Sequence, residues 1–163
     1  MADHGPCFVR MAIPDDINSL IDLCAEHAAY ERAPYDPRGK GERLMRALFA
    51  AEPRLHAWVA EQGGRLVGYA TASREFSTWD AAPFLHMDCL YLREAVRGAG
   101  AGKLLVREIA RLARALGCAN VQWQTPDWNE RAHSFYRRLG AEGKPKVRFC
   151  LAGAALAAFD EEG

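Results

Sequence analysis

The stretch Arg97-Gly98-Ala99-Gly100-Ala101-Gly102-Lys103 has residue types and spacing that point directly to chemistry. Three glycines at alternate positions let the backbone turn tightly and aim several N–H groups one way. The pattern predicts a helix start just behind them, and its positive end adds to the whole charges of Arg97 and Lys103. The result is an anion site suited to a pyrophosphate. A plain tight turn uses the same glycines, so the stretch alone leaves both readings open. Two familiar nucleotide loops are excluded by spacing. A P-loop needs glycine where Arg97 stands and Ser or Thr where Leu104 stands, and the dinucleotide fingerprint needs its third glycine where Lys103 stands.

Other reactive side chains are fewer. Asp88 lies in the apolar run Phe84–Leu92, with His86 two residues earlier and therefore on the same strand face. On residue type alone, an Asp in such a strand caps a backbone group or pairs with an arginine. Tyr136 beside Phe135 reads equally well as core packing. Trp79 and Trp128 are amphipathic packing residues as readily as pocket walls, and Asn129 is a good helix cap. His27, His56, His86 and His133 show no metal-ligand spacing.

These residues need elements to position them. A short strand, 7–12, precedes Pro14-Asp15-Asp16, a helix start with acidic groups near the positive dipole end. The helix it opens runs to about Tyr30, with Ile17, Leu20, Ile21 and Cys24 as its apolar stripe. Residues 32–40, with two prolines and a glycine, predict a loop, and 42–51 a second helix presenting Leu44, Met45, Leu48 and Phe49. A hairpin, 56–61 with 65–73, turns at Gly63-Gly64. A loop is expected over 76–83, then a strand over 84–92 leading into the glycines. The helix behind them carries Leu105, Ile109, Leu112 and Leu116 and ends at Gly117. A strand at 118–125, a helix at 129–139 stopped by Gly140, and a last strand at 147–151 complete the prediction. This is one α/β domain over residues 1–163, a mixed sheet with a parallel crossover near 84–125.

Composition narrows the function. With 163 residues, one core burying about two-thirds of the unfolded surface is expected. The 21 basic and 21 acidic side chains cancel, so no broad attraction to nucleic acid or an anionic membrane follows. No apolar run is long enough to span a bilayer, and residues 1–10 lack the pattern of a signal peptide. Five scattered cysteines with no Cys-x-x-Cys pair suggest reduced thiols, no metal site and a cytoplasmic protein.

The chain resembles the GNAT superfamily of N-acetyltransferases. The superfamily's Gln/Arg-x-x-Gly-x-Gly/Ala motif is matched by Arg97, Gly100 and Gly102. Four further stretches resemble its spermidine/spermine (diamine) branch. They are Ala29-Tyr30-Glu31, Phe76-Ser77-Thr78-Trp79, the strand from Leu85 to Leu92, and Trp128-Asn129-Glu130 with Phe135-Tyr136 and Leu139-Gly140-Ala141. The resemblance covers about residues 8–150. It implies a central twisted, mostly antiparallel sheet flanked by helices, with acetyl-CoA as acetyl donor. It places pantetheine along the main chain of Leu90, Tyr91 and Leu92, and pyrophosphate on Gly98, Ala99, Gly100, Ala101, Gly102 and Lys103 beside Arg97. Asn129, Glu130, Arg131 and Ala132 complete that cleft, and Tyr136 is the implied general acid toward the departing thiolate. Tyr30, Glu31, Asp88 and Trp79 fall on substrate-contact positions, and a homodimer is implied. Two departures stand out: Asp88 replaces a glutamate, and Cys89 replaces a second carboxylate. Losing a carboxylate weakens the case for a long polycation and favours a smaller diamine or an amino acid with a side-chain amine.

The implied chemistry is direct. A primary amine with pKa near 10.4 costs about 4–5 kcal/mol to deprotonate at pH 7. Asp88, as general base, removes that proton directly or through a water, and Tyr136 protonates the leaving group. A main-chain N–H freed by a strand bulge, expected near Leu90, stabilises the developing oxyanion. The competing readings are an acetyltransferase acting on a protein amine or an aminoglycoside, and a non-catalytic CoA-binding sensor.

Overall fold

The computed structural model describes residues 5–160, so the extreme ends of the expected 1–163 domain lie outside it. Two compact units divide the chain, the first ending at Pro126 and the second beginning at Asp127.

The first unit is built on five strands: β1 Phe8–Met11, β2 His56–Gln62, β3 Arg65–Ser77, β4 Ala82–Leu92 and β5 Val121–Gln122. Their spatial order follows chain order. Antiparallel pairing joins β1 through β4, and β5 pairs with β4 in parallel. The sheet is therefore mixed and mostly antiparallel, with the expected strand–helix–strand crossover at its parallel end.

α1 (Ile17–Tyr30) and α2 (Lys40–Phe49) cover one face. The turn before α1 is fixed by Asp16, whose carboxylate accepts hydrogen bonds from the Ile13 N–H at 2.8 Å and from both terminal nitrogens of Arg10 at 2.7 and 2.9 Å. Ile17, Leu20 and Leu23 of α1 and Leu48 of α2 are buried against Ala57, Val59 and Tyr69. The predicted stripe is present with Ile21 and Cys24 at its margin, and Leu23 joins it. α3 (Ala101–Ala115) packs on β1 through β4, with Leu105 and Ile109 fully buried. Leu112 and Leu116 are half-buried, and Gly117 ends the helix at φ 65° as expected.

Three expectations are corrected. Residues 76–83 are not a loop: β3 and β4 stay paired as far as Ser77 and Ala82, leaving only Thr78–Ala81 as the turn. Ladder hydrogen bonds continue there although the side chains are polar or exposed, and residue type alone does not report them. The strand expected over 118–125 shrinks to two residues. The strand expected over 147–151 is absent, and those residues adopt no regular structure. The alternation of Val147, Phe149 and Leu151 defines a face, but a strand also needs a partner to bond to.

The second unit holds α4 (Glu130–Arg138) and the short α5 (Ala154–Ala157). Asn129 caps α4, its side chain accepting the Ala132 N–H at 3.2 Å. Gly140 follows with φ 87°.

Candidate active site

The ladder between β3 and β4 slips by one residue: Ala72 faces Met87 and Thr71 faces Cys89, so Asp88 is the extra residue of a β-bulge. The expected bulge exists, two residues earlier than Leu90. A bulge breaks the alternation of faces. Before it, the buried Leu85 and Met87 alternate with His86; after it, Cys89 and Tyr91 turn toward α1. Asp88 is exposed, and its carboxylate lies 3.7 Å from the Cys89 thiol. The charge of Asp88 also reaches Cys24 and His27 on α1.

Cys89 is not a nucleophile in this setting. Burial, first of all, and the neighbouring Asp88 charge push its thiol up to about 12, so it is neutral at pH 7. The residue standing in place of a second carboxylate therefore contributes no charge.

The C-terminal end of α1 supplies the opposite wall. Glu31 caps the helix, and the chain leaves it through a Schellman turn with Arg32 at φ 60°: the Ala33 N–H bonds the Ala28 carbonyl and the Arg32 N–H that of Ala29. Tyr30 and Tyr91 are in ring contact at 6.4 Å, and the Arg97 guanidinium lies 4.6 Å from the Tyr30 ring centroid. Arg97 also donates from Nε to the Leu92 carbonyl at 2.7 Å, tying the glycine turn to the strand before it. A second brace joins the same strand end to α1. The Arg93 guanidinium bonds both Glu26 oxygens, the shortest contact being 2.6 Å, and holds that carboxyl below the usual range.

Two features fit the diphosphate and pantetheine of acetyl-CoA. β5 pairs with β4 only at Leu85 and His86, so among the described residues the β4 edge turned toward β5 has no ladder partner at Leu90, Tyr91 and Leu92. Beyond it, Gly98 and Gly100 both hold φ +91°, where an L side chain is strained, and a Cβ at either would meet nothing within 4 Å. The chain thus forms an open cradle, which Ala99 and Gly100 enter exposed. Behind it α3 starts with no side-chain cap, so the N–H groups of Ala101, Gly102 and Lys103 open its first turn. The Lys103 side chain is exposed.

In the second unit, Asn129 is buried while Glu130 and Arg131 are exposed and Ala132 is half-buried. Tyr136 is half-buried, its ring 5.2 Å from that of Phe135.

Tyr30, Glu31, Asp88, Tyr91 and Arg97 are thus gathered at one end of the sheet. Trp79 is not among them: it stands 98% exposed in the β3–β4 turn, with strand on the order of 20 Å long between it and Asp88. His27, weighed in the sequence only as a metal ligand, and Tyr69, not singled out there, join the group. His27 hydrogen-bonds Tyr69 and Glu31. Its four-residue spacing from Glu31 on a helix was the available signal.

Comparison with known proteins agrees with this geometry. The profile of the Acetyltransferase (GNAT) family matches residues 20–141. The thialysine N-epsilon-acetyltransferase of Bos taurus is 30% identical over 142 residues, covering 82% of this chain and 83% of that protein. The L-ornithine N5-acetyltransferase of Arabidopsis thaliana is 33% identical over 97 residues, 59% of this chain and 42% of that protein. Among solved structures, an integron cassette protein of V. cholerae superposes with a TM-score of 0.77 at 18% identity, over 96% of this chain and 98% of that one. The mixed sheet flanked by helices is accordingly that of a GNAT acetyltransferase, the family to which this chain belongs.

Proposed function

We propose that this enzyme acetylates the terminal amine of a small molecule carrying a second charged group, an amino acid with a side-chain amine or a short diamine, by direct attack. Acetyl-CoA, the donor used in this family, supplies the activated thioester. The observation that carries the proposal is Asp88: an exposed carboxylate on a strand bulge, beside an unpaired strand edge, whose charge reaches Cys24 and His27 of α1.

The main chain of Leu90, Tyr91 and Leu92 holds the pantetheine arm, and the amides from Gly98 to Lys103 hold the diphosphate; the family resemblance assigns Asn129 to Ala132 as further cofactor residues. Tyr30 and Glu31 contact the acceptor. Asp88 takes the ammonium proton, relieving the cost of about 4–5 kcal/mol that an amine of ordinary basicity incurs at pH 7. The amine nitrogen then bonds to the acetyl carbon, and a main-chain N–H at the bulge faces the developing negative oxygen. As the carbon–sulfur bond breaks, the Tyr136 hydroxyl gives its proton to sulfur, and the second proton of the attacking nitrogen passes through water to restore that hydroxyl, leaving a neutral amide and free CoA thiol.

A compact acceptor is favoured because Glu31 and Asp88 supply two negative charges while Cys89 supplies none. The acceptors named for the bovine and Arabidopsis relatives, thialysine and ornithine, are amino acids with a terminal amine. We assign the whole chain to one acetyltransferase domain, the family match running across both units. A homodimer contact through the exposed Leu151, Leu156 and Phe159 is part of the same proposal, as is a cytoplasmic setting, which suits five free thiols.

The test is thiol release from acetyl-CoA across ornithine, thialysine, short diamines, spermidine, aminoglycosides and peptides. The expected ranking by kcat/KM puts the first three above the rest. Asp88→Asn is expected to lower kcat by about 10²–10⁴ with acetyl-CoA affinity unchanged; an unaltered kcat removes Asp88 as base. Tight CoA binding with no release for any amine would mark a sensor instead.

A further inference from the structure

α1 carries one nearly buried polar side chain to which the reaction above gives no part. The His27 side chain is 13% exposed. Its Nδ1 lies 2.9 Å from the Tyr69 hydroxyl and its Nε2 lies 3.2 Å from Glu31 Oε1. The ring stacks on Tyr91 at 5.1 Å and meets the edge of Tyr69 at 5.8 Å. Ring contacts on two sides and a bond at each nitrogen leave the imidazole one orientation.

The chemistry of the partners fixes the protons. A carboxylate accepts only, so Nε2 carries the hydrogen and gives it to Glu31. In the neutral ring Nδ1 is then an acceptor and takes the Tyr69 O–H. Tyr69 is 1% exposed, and burial raises its hydroxyl far above the ordinary value, so it keeps that proton. The Cys24 and Cys89 thiols are hydrogen-bond partners of the same hydroxyl. The two bonds at the ring run in one direction, tyrosine to histidine to carboxylate, and bonds so aligned polarise and strengthen one another.

We propose that His27 is a positioning residue for acceptor recognition: anchored by Tyr69 through Nδ1, it clamps the Glu31 carboxylate through Nε2, so that Glu31 and Asp88 form a fixed pair of anionic contacts for an acceptor with two cationic centres. The proposal rests on the reading of Glu31 and Asp88 as acceptor contacts. Without the clamp, Glu31 is a half-exposed helix-end side chain with several rotamers, and each binding event must order it.

The charge state of the ring adds a pH signature. Facing it are Glu31 beyond the end of α1, Tyr69 from β3, Asp88 and Tyr91 from β4, and Arg97. Burial, the largest influence, lowers the His27 pKa and Arg97 acts the same way, while Glu31 and Asp88 oppose them; the net shift is downward. The ring is therefore neutral at pH 7 and gains its proton only below the usual 6.5. Protonation abolishes the Nδ1 acceptor and places a positive charge beside the amine site.

Steady-state kinetics and ring NMR test this together. His27→Leu is expected to raise the KM of the diamine or amino-acid acceptor by about tenfold or more, the effect of losing a hydrogen bond to a charged group. The acetyl-CoA KM and kcat should stay within about twofold. His27→Gln, which keeps a donor near Nε2, should restore most of the loss and abolish the rise in acceptor KM that wild type shows below pH 6.5. Adding His27→Leu to Glu31→Gln should cost nothing further. Long-range ¹⁵N–¹H spectra of the wild-type ring should show a neutral, Nε2-protonated tautomer at pH 7.5 and a midpoint below 6.5, falling further in Glu31→Gln. An unchanged acceptor KM in His27→Leu, independent multiplication of the two effects, or a proton on Nδ1 overturns the clamp. Should wild type acetylate no amine, the functional reading fails, and the tautomer measurement still decides the clamp.

Discussion

Replacing Gly68 by alanine puts a methyl group hard against the main chain of β4. Gly68 faces Leu92 in the ladder. A Cβ there would stand 2.6 Å from the Tyr91 carbonyl oxygen and 3.2 Å from Leu92 Cα, and would press on Leu92 Cδ2, whereas ordinary contact begins at 3.4 Å. The leucine methyl can rotate away. The Tyr91 carbonyl is main chain and can yield only if the last residues of β4 move off β3 by most of an ångström. Overpacking of this kind costs typically 1–3 kcal/mol, and rigid main chain puts Gly68→Ala in the upper half, about 2–3 kcal/mol. For a chain of this size that lowers Tm by roughly 5–10 °C. The displaced residues are those assigned to the pantetheine arm, and the Leu92 carbonyl also receives Arg97. The acetyl-CoA KM should therefore rise, by about tenfold for one lost hydrogen bond of ordinary strength, with a smaller change in the acceptor KM. Urea denaturation and two-substrate kinetics measure both effects. An unchanged urea midpoint would show that the ladder accommodates the methyl group and refute the packing argument. A lowered midpoint with an unchanged acetyl-CoA KM would refute the assignment of this strand edge to pantetheine.

Asp16→Asn should destabilise the first unit by about 2 kcal/mol at pH 7: the Asp16 side chain is 10% exposed, but its partner Arg10 is 32% exposed, which softens the penalty for an unpaired charge. Hydrogen bonding to Arg10, above all, depresses the Asp16 pKa, so its contribution is present above the unfolded value near 3.9 and is lost as pH falls below it. Wild type and Asp16→Asn should therefore converge in Tm as pH falls below about 4, and a constant gap from pH 7 to 3 would contradict this. Ala81→Gly should raise stability by about 0.5–1 kcal/mol, because Ala81 holds φ 47° in the exposed hairpin turn; a lower Tm would show that its methyl group contributes packing.

Local physics was legible in the sequence. The glycine spacing from Gly98 to Gly102, the Gly63-Gly64 hairpin, the stops at Gly117 and Gly140, the Asn129 cap and the apolar stripes of α1, α2 and α3 each depend on residues within a turn or two of one another. Propensity and period report such features directly. What tertiary structure decided was pairing. Asp88 becomes a bulge residue only because Thr71 and Ala72 lie opposite it in that register, and no property of the run Phe84–Leu92 states the register. The same dependence extended β3 and β4 through polar residues, cut β5 to two, and left 147–151 without a ladder. His27 and Glu31 were visible as helical neighbours, yet their role waits on Tyr69, 42 positions further along, whose hydroxyl reaches Nδ1 only after the sheet has formed. The chain thus encodes its turns, caps and amphipathic faces one segment at a time. Which side chains a bulged strand and a helix end bring together, and what holds them there, is set by contacts between segments that no single segment contains.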